Sequence, residues 1–160
     1  MTMRVAVGCD HRGIEVKNWV IEKLEQSGFA VVDCGAYSNE SCDYPDIAEK
    51  VGTLVGVARV NWGVLICGTG IGMSIAANKL PGVRAALCCN PQFAALARNH
   101  NDANILCLAA NDAQRPEVDA IVESFFQANF EDGRHAHRVA KIRNLEQQDN
   151  AAVVQTSLDA

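Results

Sequence analysis

Five short runs of nearly unbroken apolar residues, each followed by a longer segment of different rhythm, dominate this chain. The runs are Arg4–Cys9, Phe29–Cys34, Trp62–Cys67, Val83–Cys88 and Asn104–Ala109. Strands covered on both faces read this way, because neither face tolerates a polar residue at alternate positions. Between them, Val16, Val20 and Leu24 recur at helical spacing and stop before Gly28. Ile47, Val51, Leu54 and Ala58 form a second stripe, entered through Asp43 and Pro45. Asn90-Pro91 reads as a cap followed by a first-turn proline, opening a helix through Ala97. Val118, Ile121, Val122 and Phe125 give a strong stripe after Pro116, and Val139, Ile142 and Leu145 a weaker final one. Strand–helix alternation of this kind requires parallel strands joined by right-handed crossovers. The expected fold is therefore α/β: a three-layer, Rossmann-like sandwich with a five-stranded parallel sheet and helices on both faces. A single domain over residues 1–149, with a small polar tail over residues 150–160, fits the length of the chain.

Charge and apolar content narrow the function. Fourteen Lys and Arg against 19 Asp and Glu give a net charge of −5, which argues against a general nucleic-acid binder with its basic stripe. No run approaches the ~20 apolar residues that span a bilayer, and no secretory leader precedes the first strand, so a cytoplasmic protein is expected. Seven cysteines (Cys9, Cys34, Cys42, Cys67, Cys88, Cys89 and Cys107) form no CxxC pair. They suit a reducing compartment better than a disulfide framework or a thiolate metal site. Six of them are expected to be small buried apolar residues, with Cys67 the exception.

In open parallel sheets, ligands bind outside the carboxyl ends of the strands. Asp10-His11-Arg12-Gly13 follows the first run, Cys67-Gly68-Thr69-Gly70-Ile71-Gly72 the third and Asn111-Asp112 the fifth, while His100-Asn101 lies just ahead of the fifth. Polar, titratable residues are expected to crowd one edge. Glycines at alternate positions let the backbone of Gly68–Gly72 approach an anion and aim free N–H groups at it, or they serve a tight turn needing positive φ. It is neither a Walker loop nor the dinucleotide fingerprint. Cys67 is either a strand-ending buried thiol or a thiolate favoured by the adjoining helix start, able to act as base or nucleophile. Asp10 can shuttle a proton or cap the next helix, and His11 can donate to an anion. Arg134 and Arg138, four apart, share a helix face and can clamp a phosphate, or they begin a solvated helix; His135 and His137 between them are expected to point elsewhere. No His or carboxylate grouping has metal-ligand spacing.

Together the stretches GCDHRG (Gly8–Gly13), SNESCDYPDIA (Ser38–Ala48), GVLICGTGIGMSIAANKLPGVRAALC (Gly63–Cys88), ARNHNDANILCL (Ala97–Leu108) and EDGRHAHRVAKI (Glu131–Ile142) resemble the ribose-5-phosphate isomerase B and galactose-6-phosphate isomerase family. The resemblance runs in the family's order from the first strand to the last helix. It implies an aldose–ketose isomerase of a sugar phosphate, without cofactor or metal, built as a homodimer or homotetramer with the site at a subunit interface. By position it implies Cys67 as the general base of a cis-enediolate mechanism. The amides of Gly68, Thr69, Gly70, Ile71 and Gly72 would form the anion hole. Asp10 would move a proton between O1 and O2, and His100, assisted by Thr69, would open the sugar ring. Asn101 and Tyr44 would contact sugar hydroxyls, with His11, Arg134 and Arg138 on the phosphate. Members with Ser at the base position use a later Glu instead; here Met73 and Ser74 follow the loop, so the cysteine version is implied. One departure concerns the Gly-x-Arg that the family commonly carries after the fifth strand. Here the stretch is Ala109-Ala110-Asn111, and Asn111 cannot supply a guanidinium charge.

The expected activity is interconversion of ribose 5-phosphate and ribulose 5-phosphate in the pentose phosphate pathway. The alternatives are the same chemistry on an allose, galactose or tetrose phosphate, or a sugar-phosphate-binding subunit without turnover. No nucleic-acid or membrane partner is expected.

Overall fold

The computed structural model describes residues 2–158, with side chains described through residue 146. Eleven elements alternate along it: β1 (Arg4–Cys9), α1 (Ile14–Gln26), β2 (Ala30–Asp33), α2 (Tyr44–Gly56), β3 (Trp62–Cys67), α3 (Ile71–Ala77), β4 (Ala85–Leu87), α4 (Pro91–Asn101), β5 (Ile105–Ala109), α5 (Arg115–Gln127) and α6 (Arg134–Leu158). The strands form one parallel sheet in the order β2-β1-β3-β5-β4. Side chains alternate across it. Val5, Val7, Val64, Ile66, Leu106 and Leu108 face α1, α4 and α5, where Val16, Val20, Leu24, Ala94 and the stripe Val118, Ile121, Val122, Phe125 meet them. Ala6, Leu65, Cys67, Ile105 and Cys107 face Ala48, Val51 and Val55 of α2 and Met73 and Ala77 of α3. This is the α/β sandwich that continuous apolar strands demand. Among the described residues, no helix is long and apolar enough to cross a membrane.

Local chemistry sets most of the element ends. Gly28, at φ +86°, closes α1 with a Schellman pattern, its N–H on the carbonyl of Glu25 and that of Phe29 on Leu24. The Asn90 side chain accepts from the Phe93 amide at 2.8 Å, with Pro91 behind it. Other boundaries differ from the sequence pattern. The edge strands are shorter, β2 beginning at Ala30 and β4 spanning three residues, because each is laddered on one side only. Phe29 packs instead against Trp62 and Phe126, ring centroids 6.0 and 5.1 Å away. Ala58 lies beyond α2 at φ +54° and is no part of its stripe. α4 continues past Ala97 to Asn101. α6 runs to Leu158 through the expected tail; the side chains of residues 147–160 lie outside the described residues.

Two ionic knots fix the segment after β2 and the end of α4. The buried Lys17 ammonium sits 2.8 and 2.9 Å from the Asp33 carboxylate oxygens and 2.8 Å from the Ala36 carbonyl, so α1 holds the segment after β2 in place. Asp102, at the left-handed end of α4, takes Arg84 at 2.8 Å and Arg98 at 2.9 Å. Replacing Lys17 by Met leaves the Ala36 carbonyl without the ammonium and the exposed Asp33 carboxylate with the Gly35 amide alone, and should cost about 2 kcal/mol. Urea denaturation checks this, and an unchanged unfolding midpoint would contradict it.

Candidate active site

Strand order reverses between β1 and β3, since β2 lies on one side of β1 and β3 on the other. Crevices open at such reversals, outside the carboxyl ends. Cys67 ends β3 there, 5% exposed, on the α2–α3 face. Its Sγ accepts the Gly70 N–H at 3.2 Å. Gly70 stands at φ +72°, and a Cβ on it would lie 2.9 Å from the Leu108 carbonyl, so only glycine turns the chain back onto the sulfur. The Ile71 amide bonds Thr69 Oγ1 at 3.3 Å. The amides of Gly68, Thr69 and Gly72 have no protein acceptor among the described residues. Of the five loop amides, two thus serve the loop and three remain for an anion. Tyr44, the first residue of α2, lays its ring over the loop, where a Cβ on Gly72 would come 2.6 Å from its Cζ.

The neighbouring β1–α1 loop brings Asp10 and His11 to the same edge. Asp10 is buried, and its Oδ1 accepts the Arg12 amide at 2.9 Å, making a local turn rather than a helix cap. The Cys42 amide donates to His11 Nδ1 at 3.4 Å, which leaves the ring proton on Nε2. Of the six other cysteines, Cys9, Cys34, Cys88 and Cys107 are buried as expected, but Cys42 is half-buried and Cys89 exposed. Burial pushes the thiols of Cys9 and Cys88 up to about 11 and raises Cys34 and Cys107 as well, so these four stay protonated.

His100, Asn101, Arg134 and Arg138 are not at this edge. A helix that follows a strand runs back across the sheet, so the end of α4 lies at the amino edge, next to the start of β5. Ala103 bonds back to Ala97, and Asn104 accepts from Gly63 at the beginning of β3. The expectation that all polar residues share one edge is therefore corrected: one chain carries two half-constellations at opposite edges of its sheet. At the second, Arg84 donates to the carbonyls of Asn101 and Asp102, and the Glu131 amide bonds Asn99, which fixes the end of α4 against the loop before α6.

His135 belongs to this second group, contrary to the expectation that it points away. It is 6% exposed and stacks on His100 with centroids 4.2 Å apart and planes 4° from parallel. Glu131 lies 3.7 Å from His100 and 3.9 Å from His135. The three ligand atoms fall within 4.8 Å of one another. A metal ion sits about 2.0–2.1 Å from a ligating nitrogen, in the plane of its ring. One ion cannot lie in two stacked planes, so this geometry makes a stack and not a chelate. The residues that sequence reasoning missed here are His135 and Glu131. The available signal was Val139, one helical turn after His135 and buried with it.

A cysteine sulfur beside free amides, with an acid and an imidazole on the adjoining loop, is chemically able to take up a proton next to a developing negative charge. The Ribose/Galactose Isomerase family model matches residues 5–142, and the chain belongs to that family. Within it, the chain is 42% identical over 147 residues to ribose-5-phosphate isomerase B of Escherichia coli, covering 92% of this chain and 99% of the relative. The type B ribose 5-phosphate isomerase of Trypanosoma cruzi superposes with a TM-score of 0.90 at 45% identity, over 93% of this chain and 99% of the other. The Mycoplasma genitalium ribose-5-phosphate isomerase B structure with bound ribulose-5-phosphate superposes at 0.88, with 42% identity over 92% and 98% of the two chains.

Burial, then the charges of His100, Arg134 and Arg138, hold the His135 imidazole below its ordinary value of 6.5, with Glu131 opposing. The folded state thus disfavours the protonated ring. The resulting stability is fully present above that ordinary value and is lost as the pH falls below it. The urea midpoint should fall between about pH 7.5 and about pH 5.5, and His135→Gln should flatten the fall. An equally steep decline in the variant would contradict the assignment.

Proposed function

We propose that the chain is an aldose–ketose isomerase that interconverts ribose 5-phosphate and ribulose 5-phosphate, the substrate class borne in the names of its relatives. The observation that carries the mechanism is the Cys67 sulfur against the Gly70 N–H, three free loop amides beside it and Asp10 on the adjoining loop. The thiolate removes the proton on C2 of the open-chain aldose and becomes a thiol. The electron pair passes into a cis-enediolate whose oxygen is held by the amides of Gly68, Thr69 and Gly72. Asp10 carries a proton between O1 and O2, and the Cys67 thiol returns its proton to C1. The reaction moves protons within one substrate, and no cofactor or metal enters it.

Ring opening by His100, contacts of Asn101 with sugar hydroxyls and phosphate binding by Arg134 and Arg138 need a second copy of the chain, because those residues stand at the far edge. Tyr44 and His11 act from the first copy. Support for a covered face comes from Ile71, Ile75, Leu87 and Phe93, apolar side chains 39–58% exposed around the Cys67 loop. A homodimer joining the carboxyl edge of one chain to the amino edge of the other completes two sites. Seven free cysteines suit a reducing cytoplasm.

Cys67→Ala should lower kcat about 100-fold or more while ligand binding persists. Steady-state kinetics and calorimetry check this, and wild-type turnover would refute the base. Across four-, five- and six-carbon aldose phosphates, kcat/KM should favour the pentose by about tenfold or more. Negligible turnover of the pentose would reject the substrate while leaving the chemistry.

A further inference from the structure

At the carboxyl edge one cation has no part in the scheme above. Arg12 is exposed on the same turn as Asp10 and His11. Its side chain folds back over the Cys67 loop: a Cβ on Gly68 would lie 3.2 Å from Arg12 Cδ, 3.4 Å from its Nη1 and 3.3 Å from Asn111 Oδ1. The bare Cα of Gly68 is what lets the guanidinium and the Asn111 amide gather there. The backbone of each is held in place, that of Arg12 by its amide on Asp10 Oδ1 at 2.9 Å. The Ala110 amide bonds the Cys67 carbonyl and the Asn111 amide bonds that of Gly68, each at 2.9 Å, so the end of β5 is stitched to the loop. Among the described residues no carboxylate pairs with the Arg12 guanidinium. In a chain of net charge −5, a guanidinium with no carboxylate partner among the described residues, folded over the residue after Cys67, is available to an anion.

We infer that Arg12 binds the phosphate of the substrate, with the Asn111 side chain beside it, and that this contact sets affinity for phosphorylated over plain sugars. The inference rests on the isomerase reading given above. Its chemistry is a planar fork of N–H donors against a dianion, which a neutral amide alone at position 111 cannot match. β1 thus delivers the charge that the segment after β5 lacks.

Arg12→Gln is the test, read in two ways. In the otherwise wild-type enzyme, loss of a charge-assisted contact should raise KM for ribose 5-phosphate and weaken competitive inhibition by inorganic phosphate, each by about tenfold or more. Placing Asn111→Arg in the same chain should restore both, which a general loss of folding would not allow. In the Cys67→Ala protein, calorimetry with ribose 5-phosphate should show the same weakening on adding Arg12→Gln, independent of turnover. If Cys67→Ala keeps its activity, the base assignment fails and the Arg12 result still stands on binding. Unchanged phosphate inhibition and unchanged binding in both Arg12→Gln proteins would overturn the inference.

Discussion

The polarity of a parallel sheet sends every strand's carboxyl end to one edge and every returning helix to the other. In this chain that constraint decides where chemistry can happen. β1 and β3 emerge side by side at the reversal of strand order and deliver Asp10, His11 and Cys67 together. α4 carries His100 and Asn101, and the start of α6 carries Arg134 and Arg138, to the opposite edge, where a knot of Arg84, Arg98 and Asp102 holds the end of α4. No rearrangement short of unfolding brings the two groups together within one chain. The same sheet that preorganises each half forbids their union.

Within the first half, the backbone carries most of the burden. The left-handed turn at Gly70 places an N–H on the Cys67 sulfur, and the carbonyl of Leu108 behind it leaves no room for any side chain. The segment after β5 bonds the carbonyls of Cys67 and Gly68, so the loop is braced from the sheet side as well. Such a loop needs little reorganisation when charge develops beside it, which is the condition under which amide donors are most effective.

The central strands were legible because burial on both faces writes a continuous apolar run, and β1 and β3 fall where the pattern puts them. The edge strands were not, since half-buried ladders end where their single neighbour ends. The Cys67 loop was legible from glycines set after a strand. The separation of His100 and Asn101 from Cys67 was also available: residues that precede a strand lie at its amino end, and these precede β5. Nearness in sequence obscured it. His135 shares a face with Val139, yet its polarity and its place between two arginines suggested solvent. Nothing in the sequence signals that Arg12 folds back onto Gly68, because that contact depends on the spacing of three separate strand ends.

As proposed, a working site takes Cys67 from one chain and His100 from another. Subunit complementation tests it most directly: Cys67→Ala and His100→Ala proteins, each inactive alone, are unfolded together and refolded as a mixture. A shared site gives mixed dimers one intact centre, and the mixture should regain about a quarter of wild-type activity. If the mixture stays as inactive as its parts while mixed dimers are shown to form, the two residues do not meet across an interface.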